Sequence, residues 1–483
     1  MASVRHIALT VLAIMGAALM PSFADDKPFD PKPYLEDLDQ VHEVFSTKYA
    51  LLEWAVFERE ADLPALFART RTRIEQAHSE YEARNAFDRF ARYLNDEHVS
   101  FGWPRAGAQQ NVGAAPPGPC SRFNPAVVAK PLAALMPGYR ALPGAAEFPS
   151  GTVDAGGTKI GVVQIGIFWD AGFPELCDAA LAALGIPKDK PCDDKCGDRI
   201  DDWAYVKMTD DFAASLRALK EAGAEVLLVD VSGDGGGTEW SEAAARMVTK
   251  RRIASMRVRV ARGEHWAKIF AEDEADLKKY AAAASPKDRK YLLGLAAEVE
   301  TKLRDTNTEC DASPLWRGEH PACPLLAEGF YESGLIASAD PATLRGKPWV
   351  STVFTPAQFP YAEGVWSGPL MVLIDRDTAS SASRFAALVQ DNGAGIVVGE
   401  PATSGGGHTD GGTPTTLKNS GAILQVPDFA GFRADGTNEA RGIEPDVLVG
   451  FTPAEGGHLR AARLLARLPD AIRAAKDLTL RHK

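Results

Sequence analysis

Residues 373–387 read Leu373-Ile-Asp-Arg-Asp-Thr-Ala-Ser-Ser-Ala-Ser-Arg-Phe-Ala-Ala387. The apolar run GPLMVLID (368–375) enters a turn of small and acidic residues, and the spacing predicts a helix starting near Ser380. A serine in a strand–turn–helix of this kind sits at a helix N-terminus, where unpaired backbone N–H groups and the helix dipole favour negative charge. That geometry suits a nucleophile whose attack creates an oxyanion. Taken alone, Ser380, Ser381 and Ser383 fit equally well as helix caps and small packing residues.

Outward from this turn the pattern is α/β. KIGVVQIGIF (159–168) and EVLLVDVSG (225–233) are runs of nearly continuous apolar character, the mark of strands covered on both faces. Helices are predicted over 212–222 and 241–250. Between the second strand and the second helix lies Asp234-Gly235-Gly236-Gly237, whose glycines permit close backbone approach and expose N–H donors. GAGIVVGE (393–400) is another short strand, and AILQVPDF (422–429) and DVLVGF (446–451) are expected to close the sheet. Residues 33–95 carry helical periodicity, with Leu35, Leu38, Val41 and Val44 stepping by three, and form a bundle of about three helices. A Pro- and Gly-rich stretch at 104–157 reads as a segment wrapping over a surface. Residues 266–305, charged and Ala-rich at helical spacing, read as a helical excursion within an insertion at about 255–345, and 456–477 as an amphipathic helix.

The expected organisation is a leader at 1–24, a helical bundle at 25–103, a connecting segment at 104–157, an α/β core at 158–455 and a C-terminal helix at 456–483. The leader has Arg5, an apolar stretch from Ile7 to Met20, and small residues at Ser22 and Ala24, the layout of a secretory signal peptide cut after Ala24. Its apolar stretch is short for a membrane span, which needs about 20 residues. A periplasmic or secreted protein is therefore expected. Six cysteines fit an oxidising compartment and up to three disulfides, with Cys310–Cys323 the preferred pair. Cys177, Cys192 and Cys196 with Asp193 and Asp194 offer a weaker metal-binding alternative. The 483 residues carry a formal charge of −12 with no basic run, which argues against a nucleic-acid partner. No Walker loop, Rossmann fingerprint or His-Glu-x-x-His motif is present, so no nucleotide cofactor or zinc of that kind is implied.

His98, in Tyr93-Leu-Asn-Asp-Glu-His-Val-Ser-Phe101, lies at an element boundary beside several polar groups. The order DEHVSF, VLLVDVSGDGGG, DTASSASRFAALVQD, IVVGEPATSGGG and NEARGIEPDVLV resembles the S41 serine peptidases, the family of the tail-specific (C-terminal processing) and tricorn-type proteases. The resemblance implies a ClpP/crotonase-like α/β core and peptide-bond hydrolysis through an acyl-enzyme, on a peptide or protein substrate and without cofactor or metal. It implies Ser380 as nucleophile, with Ser381 the neighbouring alternative. The oxyanion donors would be the Ser381 N–H and one from Gly235, Gly236 or Gly237. The lysine that serves as base in the tail-specific branch is missing from Gly399–His408. The tricorn-type arrangement implies His98 as base and Glu439 as its distant carboxylate, with His408 a competing base. The serine expected just before the histidine is replaced by Glu97, and Ser100 is the substitute. The composition of 104–157 does not suit the PDZ domain of the tail-specific branch. A catalytically inactive peptide- or ligand-binding relative and a serine esterase are the alternative readings.

Overall fold

The computed structural model of the chain describes residues 28–96, 98–104, 118–125, 131–402, 414–452 and 455–481. The predicted leader, Glu97 and His408 lie outside the described residues. Four helices come first: α1 (Lys32–Lys48), α2 (Leu52–Phe57), α3 (Leu63–Glu75) and α4 (Glu80–Leu94). Leu38, Val41 and Val44 lay an apolar stripe along α1, and Leu63, Leu66 and Ile74 do so along α3; all six are buried. Ser79 caps α4 by accepting the Glu82 N–H at 3.3 Å. Asn95, left-handed at φ 47°, ends the helix and turns the chain toward His98.

The chain continues through β1 (Ser100–Gly102), β2 (Arg140–Ala141), β3 (Ser150–Ala155), β4 (Thr158–Gln164), α5 (Pro174–Leu184), α6 (Asp194–Glu221), β5 (Val226–Asp230) and α7 (Trp240–Met247). Next come β6 (Arg257–Ala261), the helical hairpin α8 (Glu264–Ala283) and α9 (Pro286–Thr306), β7 (Leu326–Tyr331), α10 (Pro341–Leu344) and α11 (Val350–Val353). It closes with β8 (Leu370–Ile374), α12 (Ser380–Asp391), β9 (Ile396–Gly399), β10 (Thr415–Thr416), β11 (Ile423–Gln425), β12 (Phe429–Phe432), β13 (Val447–Leu448) and α13 (Gly457–Arg481).

The main sheet has the order β13-β9-β8-β5-β4-β3-β2. Its pairs from β13 to β4 are parallel, and β4-β3 and β3-β2 are antiparallel. Strands β5 and β8 are apolar at every core position because both faces are covered. Leu227, Val229, Leu370 and Val372 pack with α5, α6, α7 and α12, whereas Val226, Leu228, Met371 and Leu373 pack with α13. The sheet extends further toward the N-terminus than expected: β2 and β3, within the segment read as a surface wrap, complete its antiparallel edge. The sequence SGTVDA of β3 lacks the apolar run that marks the central strands.

Two smaller sheets lie outside it. β1-β11-β10 packs Leu424 against the N-terminal helices, and β12-β6-β7 packs Val258 and Val260 against α8 and α9. AILQVPDF thus does not close the main sheet. Leu424 and Val426 face the helical core while Ile423 is half exposed, the pattern of a strand buried on one face only. The cysteines form the pairs Cys120–Cys177, Cys192–Cys196 and Cys310–Cys323. The metal alternative fails, because all three of its sulfurs are in disulfides and Asp193 instead caps α6, accepting the Cys196 N–H at 2.9 Å. No described helix is long and apolar enough to cross a membrane.

Candidate active site

Two loops leave the C-terminal ends of the neighbouring parallel strands β5 and β8, and their side chains tie them together. Asp375, just after β8, accepts the Gly233 N–H at 2.8 Å. Thr378 donates its hydroxyl to the Val231 carbonyl at 3.0 Å, and the Ala379 N–H donates to the Asp234 carbonyl at 2.9 Å. The Asp-x-x-Thr-Ala-Ser spacing therefore sets the position of Ser380 against the glycine loop.

Ser380 itself adopts φ 49°, one of three described non-glycine residues with positive φ. A residue other than glycine held there costs on the order of 1–3 kcal/mol, and such strain persists only where the surroundings fix it. Here they do. Ala379 is extended before it, α12 begins at it, and Gly236 presses on it: a Cβ on Gly236 would lie 2.6 Å from Ser380 Cβ. Ser380 is partly accessible, Ser381 is buried, and Ser383 donates its hydroxyl to the Thr378 carbonyl at 3.0 Å.

The three glycines differ. Gly235 has open space where a Cβ would be. The Gly236 N–H donates to Asp234 Oδ1 at 2.7 Å. Gly237, at φ 145°, forms a parallel bridge with Phe168, whose backbone a Cβ would strike at 2.5 Å. Neither the Gly237 nor the Ser381 N–H meets an acceptor among the described residues, as expected for Ser381 in the first turn of a helix. Asp234 is fully buried, and burial pushes its carboxyl well above the usual range although the Gly236 N–H opposes the shift.

Ser380, Ser381, Gly237 and His98 line one cavity of about 280 Å³, together with Thr238, Glu239, Glu332, Arg384 and Phe429. All three lobes contribute: His98 follows the helical bundle, Ser380 belongs to the main sheet layer, and Phe429 and Glu332 come from β12 and the end of β7. His98 Nδ1 lies 3.8 Å from Asp96 Oδ1, and the same oxygen accepts the His98 backbone N–H at 3.1 Å. Asp96 is buried and also accepts the Tyr49 hydroxyl at 3.2 Å. Ser100, the expected partner of the histidine, is exposed on β1 opposite Gln425 and does not line the cavity. Asp96, two positions earlier, lies beside the imidazole, and the left-handed Asn95 brings the chain round.

Glu439 does not line the cavity. It is buried one layer behind, its Oε1 accepting the Gly431 N–H of β12 at 3.2 Å. Arg384, one helical turn after Ser380, donates to Glu332 at 2.7 Å with both side chains buried. Burial disfavours the Arg384 charge, but the carboxylates of Glu332, Glu439, Glu242 and Glu239 more than offset that and hold it protonated. Arg384 lies within the DTASSASRF motif, but nothing in the spacing marks its pairing with Glu332, which lies outside every motif.

The sequence model of Peptidase family S41 matches residues 198–449, more than half of the chain. The fold is similar to that of mature CPAF (12% identity, TM-score 0.57, covering 93% of this chain and 98% of that one). CPAF complexed with lactacystin gives 12% identity and a TM-score of 0.55 over 94% and 99% of the two chains. The photosystem II D1 C-terminal processing protease aligns at 13% identity and a TM-score of 0.35, covering 89% of this chain and 96% of that one. No curated protein matches this chain. At these identities the two CPAF structures speak for the fold alone. The segment matched by the family model covers more than half of the chain and carries both loops and α12, and the chain belongs to peptidase family S41.

Proposed function

We propose that this protein is an exported serine peptidase that hydrolyses peptide bonds through an acyl-enzyme on Ser380. One observation carries the reading: a serine in a strained left-handed conformation, at a helix N-terminus, shares a small polar cavity with a histidine. Nδ1 of His98 faces Asp96, so Nε2 is the ring atom turned away from that carboxylate. In the proposed reaction Nε2 takes the Ser380 hydroxyl proton as Oγ attacks the substrate carbonyl carbon. The carbonyl electrons move onto oxygen, which the Ser381 and Gly237 N–H groups receive. The Gly236 N–H already bonds to Asp234 and Gly235 does not line the cavity, which supports Gly237 as the glycine donor. Collapse breaks the C–N bond, and the amine leaves with the proton returned by His98. Water, deprotonated by the same imidazole, then hydrolyses the ester and restores Ser380.

Asp96 orients the ring and balances the imidazolium. Glu439 is a positioning carboxylate in this reading: it fixes β12, which carries Phe429, and offsets the charge of Arg384. The leader-like residues 1–24 and three disulfides support a periplasmic or extracellular location. Fluorophosphonate labelling of the mature protein tests the nucleophile. Labelling lost in Ser380→Ala and kept in Ser381→Ala is expected. A folded wild-type protein that does not label overturns the catalytic reading in favour of a peptide-binding relative, and cleavage of ester but not peptide panels would identify an esterase.

A further inference from the structure

Beside the cavity of Ser380 lies a larger groove of about 640 Å³, between α6 on one side and residues 345–360 on the other. Glu239 lines both, so the two spaces adjoin at this residue, next to Thr238 of the smaller cavity. That junction is braced by Tyr205, whose hydroxyl donates to Thr238 Oγ1 at 3.0 Å. The Tyr205 ring packs on Phe359 with centroids 5.1 Å apart, giving the groove an aromatic surface next to the carboxylate.

The charges around the junction are unevenly matched. Asp201 is paired with Arg122, and Lys347 donates to Asp288 at 2.6 Å. Arg384 is bonded to Glu332 and is shared electrostatically among Glu332, Glu439, Glu242 and Glu239, one cation against four carboxylates. Among the described residues, Asp202, Glu239 and Arg345 are the charged groove-lining side chains outside any salt bridge, and only Glu239 of these also lines the cavity of Ser380. Where the groove and the cavity share Glu239, negative charge is therefore in excess.

We propose that Glu239 makes this junction a subsite for a basic side chain, so that the substrate is a polypeptide cleaved near a lysine or arginine. The aliphatic stem of such a residue would lie along Tyr205 and Phe359, with its cationic head at Glu239. An acidic side chain at the same position meets Glu239 and is rejected. The assignment rests on Ser380 marking the reaction centre, and it is testable without turnover.

The test measures binding of fluorescent peptides that differ only by Lys, Gln or Glu, moved one position at a time. The full mature chain carrying Ser380→Ala is compared with the same chain also carrying Glu239→Gln or Glu239→Lys. At one position the Lys peptide is expected to bind about two- to fivefold more tightly than Gln, the range of an exposed ion pair. That preference disappears in Glu239→Gln and inverts toward Glu in Glu239→Lys. Glu239 is exposed, and unchanged thermal unfolding of the variants confirms that they fold. Equal binding of Lys and Gln peptides at every position, no measurable binding, or a preference that survives Glu239→Gln overturns the subsite. Hydrolysis of the same peptides by the Ser380 protein separates the two readings: a Lys preference in binding without any hydrolysis leaves the subsite standing and defeats the catalytic assignment, whereas hydrolysis indifferent to Lys does the reverse.

Discussion

Replacing Gly236 by alanine tests whether the glycine loop holds Ser380 in place. The added Cβ would lie 2.6 Å from Ser380 Cβ, 2.8 Å from the Ser381 nitrogen and 3.1 Å from the Ala379 carbonyl oxygen, on a backbone at φ 111°. Backbone strain of this kind costs about 1–3 kcal/mol, and overpacking a close contact adds about 1–3 kcal/mol. If nothing moves, the variant loses about 2–6 kcal/mol. If the loop yields, Ser380 and Gly236 separate by roughly 1 Å, a misplacement worth about a hundredfold in rate at a reacting centre. Gly235→Ala is the control: a Cβ there has nothing within 4 Å, and its φ is not positive, so a change within about 0.5 kcal/mol is expected. The assay is the rate of fluorophosphonate labelling together with urea unfolding. Gly236→Ala should unfold earlier, label about a hundredfold more slowly, or both, while Gly235→Ala stays near wild type. Gly236→Ala indistinguishable from wild type in both readouts, or Gly235→Ala equally impaired, would refute the reasoning.

Asp234 predicts a pH signature. Burial raises its pKa above the ordinary 3.8, so between that value and its folded-state pKa the native chain keeps a proton that the unfolded chain has lost. Stability then falls as pH rises through this window, by about 1.4 kcal/mol per pH unit, and Asp234→Asn removes the slope. Urea unfolding should show Asp234→Asn gaining on wild type as pH rises above the ordinary carboxyl value; a difference independent of pH contradicts the assignment. Arg246 and Glu242 form a buried pair at 2.5 Å, joined by Ser255, which donates to Glu242 at 2.6 Å. Arg246→Met leaves the carboxylate uncompensated and should cost about 3–5 kcal/mol, and a loss below 1 kcal/mol by denaturant titration would show that the charge is relieved elsewhere. The disulfides should rank by the chain they enclose. Losing Cys120–Cys177, separated by 57 residues, should cost about 4 kcal/mol, against about 2 kcal/mol for Cys192–Cys196, separated by four. Paired Cys→Ala variants compared by chemical unfolding check that order.

What could be read from the sequence depended on how much of each element's environment its own residues determine. β5 and β8 announce themselves because both of their faces are buried, which forces apolar residues at every position. The stepping of Leu38, Val41 and Val44 is likewise set by one helix face. β3 and β11 gave no such signal or a misleading one: SGTVDA sits in the sheet near its edge, and ILQ is buried on one side only, so neither composition names its partner strand. The same limit governs the site. Ser380 was visible because strand, turn and helix are adjacent in the chain. That Asp96 lies beside His98 depends on a left-handed Asn95, and β1 turns Ser100 outward; neither is written in the local pattern. Glu332 and Phe429 reach the cavity from strands of a separate small sheet, whose pairing no local pattern specifies. The glycine loop makes the point most sharply. Three identical residues in a row carry three different constraints, open space at Gly235, contact with Ser380 at Gly236 and contact with Phe168 at Gly237. Each constraint is imposed by what folds against the glycine, so the loop's chemistry belongs to the assembled turn and not to the motif.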